Sequence, residues 1–462
     1  MRAMSESFVP VMLLATALAA AMQAGRVGAQ EVAAPFPPGL ASDSSQPGAG
    51  AEVRVAGETL EAAWRIALST DRRLEASQWN ASAAASSVEA ARAERWPSMT
   101  LGANYIALSE EPAFKLPASP MLPSQLPFFE QDSGGAHAVV RQPLYASGRI
   151  SSGIRAAEAG VAASQAEIRR TTLDVKMYVA EYYVSVLRAT RLVEVAENRV
   201  ASLTEHVRVV KAMLDRGLRA RTDLLSAEVA LANARQQLFQ AQNAKDVACA
   251  SYNRMLGRPL IEAVRLAELP EEKGVGDVDQ LTSQALQNRP EIAQLSAQAC
   301  ELREQAAATQ AKKGPQVAVA GGYLYQQDKY INPNGVAGVG LIAEWNVLDA
   351  GRVSNQAAAS REKAEALIRL RMDTESAVAL DVRQRWLDLQ TVLRRIEVAR
   401  QSIAQADENL RVARDRYEQQ VGTNTEVLDA ETLRVQAYTN FYNSSYEAAL
   451  ARLRLCRAAG SL

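Results

Sequence analysis

The residues able to do chemistry are few and scattered. The chain holds two histidines, His137 and His206, and neither accompanies a Ser, Cys or carboxylate constellation of the kind that nucleophilic or acid–base catalysis needs. The cysteines, Cys249, Cys300 and Cys456, are odd in number, far apart, and show neither CxxC nor Cys/His ligand spacing. Each falls in an Ala-rich helical pattern, where cysteine behaves as a small hydrophobe. There is no phosphate loop and no metal motif, so the sequence predicts no enzyme, no cofactor and no metal. What stands out is acid beside turns. Thr423 and Glu426 have capping-box spacing, and acids in a helix's first turn are favoured by the macrodipole; Asp429 lies one turn further in. Thr222 and Asp223 stand at another helix start, where capping accounts for them.

Those acids need elements to hold them, and the sequence writes one structural unit twice. Leu60-Glu-Ala-Ala-Trp-Arg-Ile-Ala-Leu opens the first copy and Leu281-Thr-Ser-Gln-Ala-Leu the second. Each opening helix ends near a proline, Pro97 or Pro315, and enters a strand-like stretch. Each copy then reaches a Gly-Arg pair, Gly148-Arg149 or Gly351-Arg352, and the two pairs lie 203 residues apart. The same 203 residues separate Leu225-Ser-Ala-Glu228 from Leu428-Asp-Ala-Glu431. Two distant landmarks in one register mark an internal duplication.

Each copy reads helix, strand, loop, strand, very long helix, turn, helix. Gly148 to Gly217 and Gly351 to Gly422 contain no proline, and either stretch would span about 100 Å as a continuous helix. No single globular domain buries such a helix, so a coiled-coil or barrel assembly is required. Gly217 and Gly422 are expected at the turns in left-handed conformation. Measured from them, ten steps lead to Ala227 but only eight to Ala430, so the two turns are expected to differ. In the helix after the first turn, Leu224, Ala227, Leu231, Ala234, Leu238, Ala241, Lys245, Ala248, Tyr252 and Met255 form a seam with alternating steps of three and four. The second copy is less clean, with Val427, Ala430, Ala437, Phe441, Ala448, Ala451 and Leu455 interrupted by Arg434 and Ser444.

Composition agrees with helical seams. Hydrophobic residues make up 48% of the chain but aromatics only 5%, which suits Ala- and Leu-filled interfaces better than a large globular core. A net charge of −1 argues against a nucleic-acid partner. Residues 1–29 read as an export signal, with an apolar run from Phe8 to Met22 and cleavage expected before Gln30. A Pro/Gly/Ser-rich leader is expected over 30–57, the first repeat over 58–257, a linking segment over 258–279 and the second repeat over 280–462. Past Ala24 no stretch approaches the length of a membrane-spanning helix, which excludes an inner-membrane transporter.

Four segments have strand character: Met99 to Leu108, Ala136 to Tyr145, Gln316 to Gln326 and Val336 to Leu348. Their lengths are close to the roughly 9–11 residues that a tilted strand needs to cross a bilayer. Tyr323, Tyr325 and Trp345 lie towards strand ends, where interfacial aromatics belong. The stretches Ser109 to Gly134 and Asp328 to Gly335 read as loops facing outward. Four strands cannot close a barrel, and open edges are not tolerated in lipid, so the chain must assemble with copies of itself; dimer, trimer and tetramer all remain open on this ground.

The strings Gln142-Pro-Leu-Tyr-x-x-Gly-Arg149, Trp345-Asn-Val-Leu-Asp-x-Gly-Arg352 and Val421-Gly-Thr-Asn-Thr-Glu-Val-Leu-Asp-Ala430, set in this order of elements, resemble the TolC-type outer-membrane efflux family over roughly Leu60 to Ala459. The resemblance implies a mainly α fold with a small β part. Internally duplicated helix-strand-strand-helix units would form a homotrimer, with a twelve-stranded β-barrel continuous with a twelve-helix α-barrel tunnel. It implies the outer membrane as location, lipid around the barrel, and no catalysis. The implied function is that of an exit duct in a tripartite efflux system, passively conducting small molecules out of the periplasm with a periplasmic membrane-fusion adaptor and, indirectly, an inner-membrane pump. By the same resemblance Glu426 and Asp429 line the periplasmic gate, Thr222 and Asp223 take part in closing links, and Gly217, Leu218, Val421, Gly422 and Thr423 meet the adaptor. The segment 258–279 would form a belt around the tunnel's middle. Pro97, Gly148, Arg149, Pro315, Gly351 and Arg352 mark helix–strand junctions. The same duct could serve a type I protein-secretion system. A purely structural periplasmic coiled coil is the alternative from another class, and it predicts no strands.

Overall fold

The computed structural model describes residues 57–115, 125–270 and 276–462. The expected export signal, and all of the expected leader except Gly57, lie outside the described residues. The first repeat contains α1 (Leu60–Thr70), α2 (Arg72–Ala93), β1 (Ser98–Ala107), a small hairpin β2 (Ala113–Lys115) and β3 (Gln125–Pro127), β4 (Asp132–Tyr145), α3 (Arg149–Asp215) and α4 (Arg221–Met255). The second contains α5 (Val278–Asn288), α6 (Pro290–Gln310), β5 (Gln316–Gln327), β6 (Gly335–Glu344), α7 (Arg352–Glu418) and α8 (Asn424–Ala459).

The duplication is literal in the backbone. The long helices α3 and α7 are each 67 residues and begin 203 residues apart. The opening helices α1 and α5 are each 11 residues but begin 218 apart. The 15-residue difference between these offsets is taken up in the β1–β4 connection, which is longer than the β5–β6 connection and carries the β2–β3 hairpin. The sequence reading treats that connection as plain loop. Its hairpin is held by Phe114 on Phe128, with ring centroids 4.6 Å apart, a contact that Pro-rich composition conceals.

Local signals set the boundaries. Thr59 accepts the amide of Ala62, Asp71 accepts those of Arg73 and Leu74, and Pro290 starts α6 at a position that needs no amide proton. Pro97 and Pro315 each stand one residue before a strand. At the other junctions two successive residues are left-handed, Ser147-Gly148 and Ala350-Gly351, reversing the chain from strand into long helix. Arg149 pairs with Glu94 at 2.7 Å, tying the start of α3 to the end of α2.

Helix α3 packs on α1, α2, α4, α6 and α8, and α7 packs on α5, α6 and α8, so each long helix is flanked by several shorter ones. Every residue of the expected α4 seam is buried or half-buried. In α8, Arg434 is half-buried and bonded to Asp407 at 2.6 Å, which explains how a cation sits in that seam. A core cluster at the middle of the helical part joins α1, α3, α4 and α8 around Tyr183 and Tyr252. The Tyr183 hydroxyl lies 2.8 Å from the Glu58 carbonyl and 2.6 Å from that of Ala267, and burial raises its pKa to about 12. Glu58 also pairs with Arg258 at 2.9 Å, stitching the linking segment to the start of the first repeat.

The four long strands form one antiparallel sheet in the order β1-β4-β5-β6, with Ala103 opposite Ala136, Ala138 opposite Tyr323 and Gly322 opposite Gly338. A register irregularity falls between Pro143 and Tyr145, where proline has no amide proton to donate. Two strand limits differ from expectation. β4 begins at Asp132, because Gly134 and Gly135 pair with Gln327 and Gln326. β6 ends at Glu344, because the Trp345 indole donates to the Lys313 carbonyl and Asp349 accepts the amides of Gly351 and Val353. Leu101, Val339 and Leu341 are exposed on the sheet, and the outer edges of β1 and β6 have no strand partner among the described residues.

Candidate functional site

The turns between α3 and α4 and between α7 and α8 form two helical tips, and the expected pairing of their glycines needs correction. Gly217 is left-handed at φ +76°, but Gly422 is not; the left-handed residue of the second tip is Gln420 at φ +67°. Gln420 lies 203 residues after Gly217, so it is the true counterpart, and Gly422 corresponds to Arg219. The closing bonds match as well: Leu218 N–H donates to Met213 O and Val421 N–H to Arg416 O, each at 3.0 Å. This is the Schellman pattern twice over. The two turns therefore have the same length, and the difference of ten steps against eight came from aligning the wrong glycine. Gly422 is needed for space. A Cβ there would stand 3.0 Å from Arg416 Cβ and 3.1 Å from the Tyr417 amide nitrogen.

The caps also differ from expectation. Thr423 caps α8 by accepting the Glu426 amide at 3.2 Å. The matching position on α4 is Ala220, which cannot cap with its side chain; Thr222 and Asp223 lie inside the first turn and are not the cap. Glu426 lies 3.8 Å from Arg416 Nε and is exposed. Asp429 is exposed too, and Glu426, Asp429 and Leu433 share one side of α8 at i, i+3 and i+7. The opposite side, with Asn424, Val427 and Glu431, is buried. Leu218 and Val421, again 203 residues apart, are 45% and 67% exposed, so each tip presents one bare aliphatic side chain.

Sequence reasoning left His206 without a role, and the structure gives it one. Leu203, His206 and Val210 are buried at i, i+3 and i+7 on α3, so a histidine occupies a seam position. Its Nε2 lies 2.7 Å from Asn424 Oδ1. The Asn424 amide donates in turn to Ser226 Oγ at 2.9 Å and to the Asp223 carbonyl at 3.2 Å. With the amide group spent on those two acceptors, Oδ1 is the acceptor and His206 donates from Nε2. Burial pushes the His206 pKa down, and the contact with Asn424 opposes that shift. Beside it, the Arg219 guanidinium stacks over the Tyr417 ring at 4.2 Å and donates to the carbonyls of Tyr417 and Gly422 at 2.9 and 3.0 Å. Glu431 is 2% exposed, and its carboxylate lies 3.6 Å from Arg414 Nη2. The signal that could have found this cluster is the histidine itself, a polar residue on an otherwise apolar stripe.

This arrangement holds and positions; it offers no nucleophile, and among the described residues no three of His, Cys, Asp and Glu converge as metal ligands. No helix among the described residues is long and apolar enough to cross a membrane. In fold, the chain is similar to the outer membrane protein VceC of Vibrio cholerae, at 18% identity and TM-score 0.73, covering 87% of this chain and 96% of that one. It is also similar to the outer membrane channel CmeC of Campylobacter jejuni, at 13% identity and TM-score 0.73, covering 92% and 94%. The MtrE outer membrane channel of Neisseria gonorrhoeae, solved in an open state, aligns at 18% identity and TM-score 0.70 over 87% and 88%. No curated protein matches at the sequence level. Residues 64–258 and 281–461 match the outer membrane efflux protein family, one block for each repeat, and the chain belongs to that family, whose members are outer-membrane channels.

Proposed function

We propose that three copies of this chain form one conduit, which passively carries small molecules from the periplasm to the exterior as the outer-membrane part of a tripartite efflux system. The observation that supports this most is the open four-stranded sheet above helices of about 100 Å. Its unpaired edges require neighbours in lipid, and three copies supply twelve strands and a closed tunnel wall. A structural periplasmic coiled coil has no use for such a sheet. The tips form the periplasmic end. Glu426 and Asp429 stand on the bare side of α8, where three copies of each would make acidic rings that attract cations and hold divalent ions. Thr222 and Asp223 lie in the first turn of α4, with the Asp223 carbonyl bonded to Asn424 on the other side of α8. The exposed Leu218 and Val421, with Gly217, Gly422 and Thr423 shaping the turns, form the contact for a periplasmic adaptor, through which an inner-membrane pump acts.

Two measurements test this reading. The detergent-solubilised protein should be a trimer; a monodisperse monomer with an intact β signal would overturn the architecture. In planar bilayers the Glu426→Ala, Asp429→Ala double variant should lose cation preference and divalent block while remaining trimeric. If the two acids serve only the helix end, the loss is about 1 kcal/mol of local stability and selectivity stays as in the native channel.

A further inference from the structure

Away from the tips, a cleft of about 470 Å³ opens between α3, α7 and α8. Four guanidiniums line it, Arg188 from α3, Arg385 and Arg395 from α7 and Arg454 from α8, against two carboxylates, Asp388 and Glu447. The four are not equivalent. Arg454 is tied to Glu447 at 2.9 Å and to Glu181 at 3.2 Å, and Arg385 to Asp381 at 3.2 Å and Asp388 at 3.9 Å. Arg188 and Arg395 make no ion pair or hydrogen bond among the described residues. Two arginines are thus held in place by their own carboxylates, while two present free guanidinium forks into the same space.

Charge and geometry together select the ligand. Arg385 and Arg454 are already compensated by the carboxylates that hold them, so the charges without an ion-pair partner are those of Arg188 and Arg395, set where concave walls focus the field. A guanidinium is weakly hydrated and matches carboxylate or phosphate oxygens in bidentate fashion, so free arginines facing one cavity favour an oxyanion over chloride. A monovalent ion would meet only one of the two unpaired guanidiniums, whereas an anion with two or more charges can meet both. The volume admits a molecule of several carbons, far larger than one ion needs. We propose that this cleft binds a small oxyanion carrying two or more negative charges, a polycarboxylate or a phosphate compound. Arg188 and Arg395 grip the anion, and Arg385 and Arg454 shape the far wall. The site lies at the middle of the helical part, away from the tips.

The test is calorimetric titration of the detergent-solubilised full chain at constant ionic strength, without divalent metals. Citrate, pyrophosphate and acetate are titrated in separate experiments. Saturable binding of citrate or pyrophosphate at one site per chain, with none for acetate, is expected. Which of the two binds more tightly identifies carboxylate or phosphate as the class. Arg188→Gln with Arg395→Gln should weaken that binding at least tenfold. An Arg188→Lys, Arg395→Lys variant, which keeps the charge but not the fork, should fall between. The proposal is overturned if neither citrate nor pyrophosphate saturates, if acetate binds equally, or if the Gln double variant binds as the native chain does.

Discussion

The two tips share one backbone trace and reach it by different chemistry. In the first, glycine takes the left-handed position, the helix start has no capping side chain, and Arg219 reaches outward across the gap. In the second, Gln420 takes the left-handed position at a cost of about 1 kcal/mol relative to glycine, and Thr423 caps the next helix. Two contacts from the first repeat hold that strained turn: Arg219 on the carbonyls of Tyr417 and Gly422, and His206 on Asn424. The first turn is locally relaxed, and the second depends on its neighbour. Duplication preserved the path of the chain while the residues specialised, one tip as a brace and the other as the part braced.

The largest break in that relationship should come at Gly422. A Gly422→Pro variant loses the amide that donates to Arg416 O at 2.9 Å and forces a ring against the end of α7. Export should fall to background in an efflux assay while trimers persist on gels, because the main seams lie elsewhere. Export at the native level would show that the second tip's shape does not matter.

A smaller effect should follow pH. Burial holds His206 below its ordinary value of 6.5, so the braced tip prefers the neutral ring. A depressed pKa contributes stability above about pH 6.5, and that stability is lost as pH falls through the folded value. The charged groups around the ring pull in both directions: Arg414 of α7 disfavours protonation, whereas Glu431 of α8 and Asp223 of α4 favour it. Hydrogen exchange in the first turns of α8, corrected for intrinsic rates, should therefore speed up several-fold between pH 7.5 and pH 5.5. A His206→Gln variant, which keeps a donor for Asn424 but does not titrate, should show no such step. An equal step in that variant would assign the titration elsewhere.

The smallest effect isolates local strain. Gln420→Gly should stabilise the second turn by about 0.5–1 kcal/mol, and Ala220→Ser should add a similar amount by capping α4. Opening free energies from native-state exchange of the two tips measure both. No gain from Gln420→Gly would mean that Arg219 and Asn424 already hold the turn without stored strain.

Much of the molecule was legible in residue order because its signals are local or periodic. The duplication, the seam of α4, the lengths of α3 and α7, the four long strands and the helix–strand junctions follow from spacing, prolines and Gly-Arg pairs. Tip geometry was misread because glycine has two uses, positive φ and close approach. A sequence cannot say which one a given glycine serves, so Gly217 was matched to Gly422 when its partner was Gln420. The reach of Arg219 over Tyr417 was equally hidden.

By itself, then, the sequence determined the repeating unit, its helical and strand periods, and the need for neighbours that four open strands impose. Tertiary structure alone decided which residues meet across the repeats: His206 with Asn424, Arg219 with Gly422, and the Tyr183 hydroxyl with the Glu58 and Ala267 carbonyls. The physical reason is range. Periodicity reports how an element sorts its own faces between apolar and polar surroundings. A hydrogen bond between side chains some two hundred residues apart depends on the register of two helices, which is set when their alanine-rich seams close.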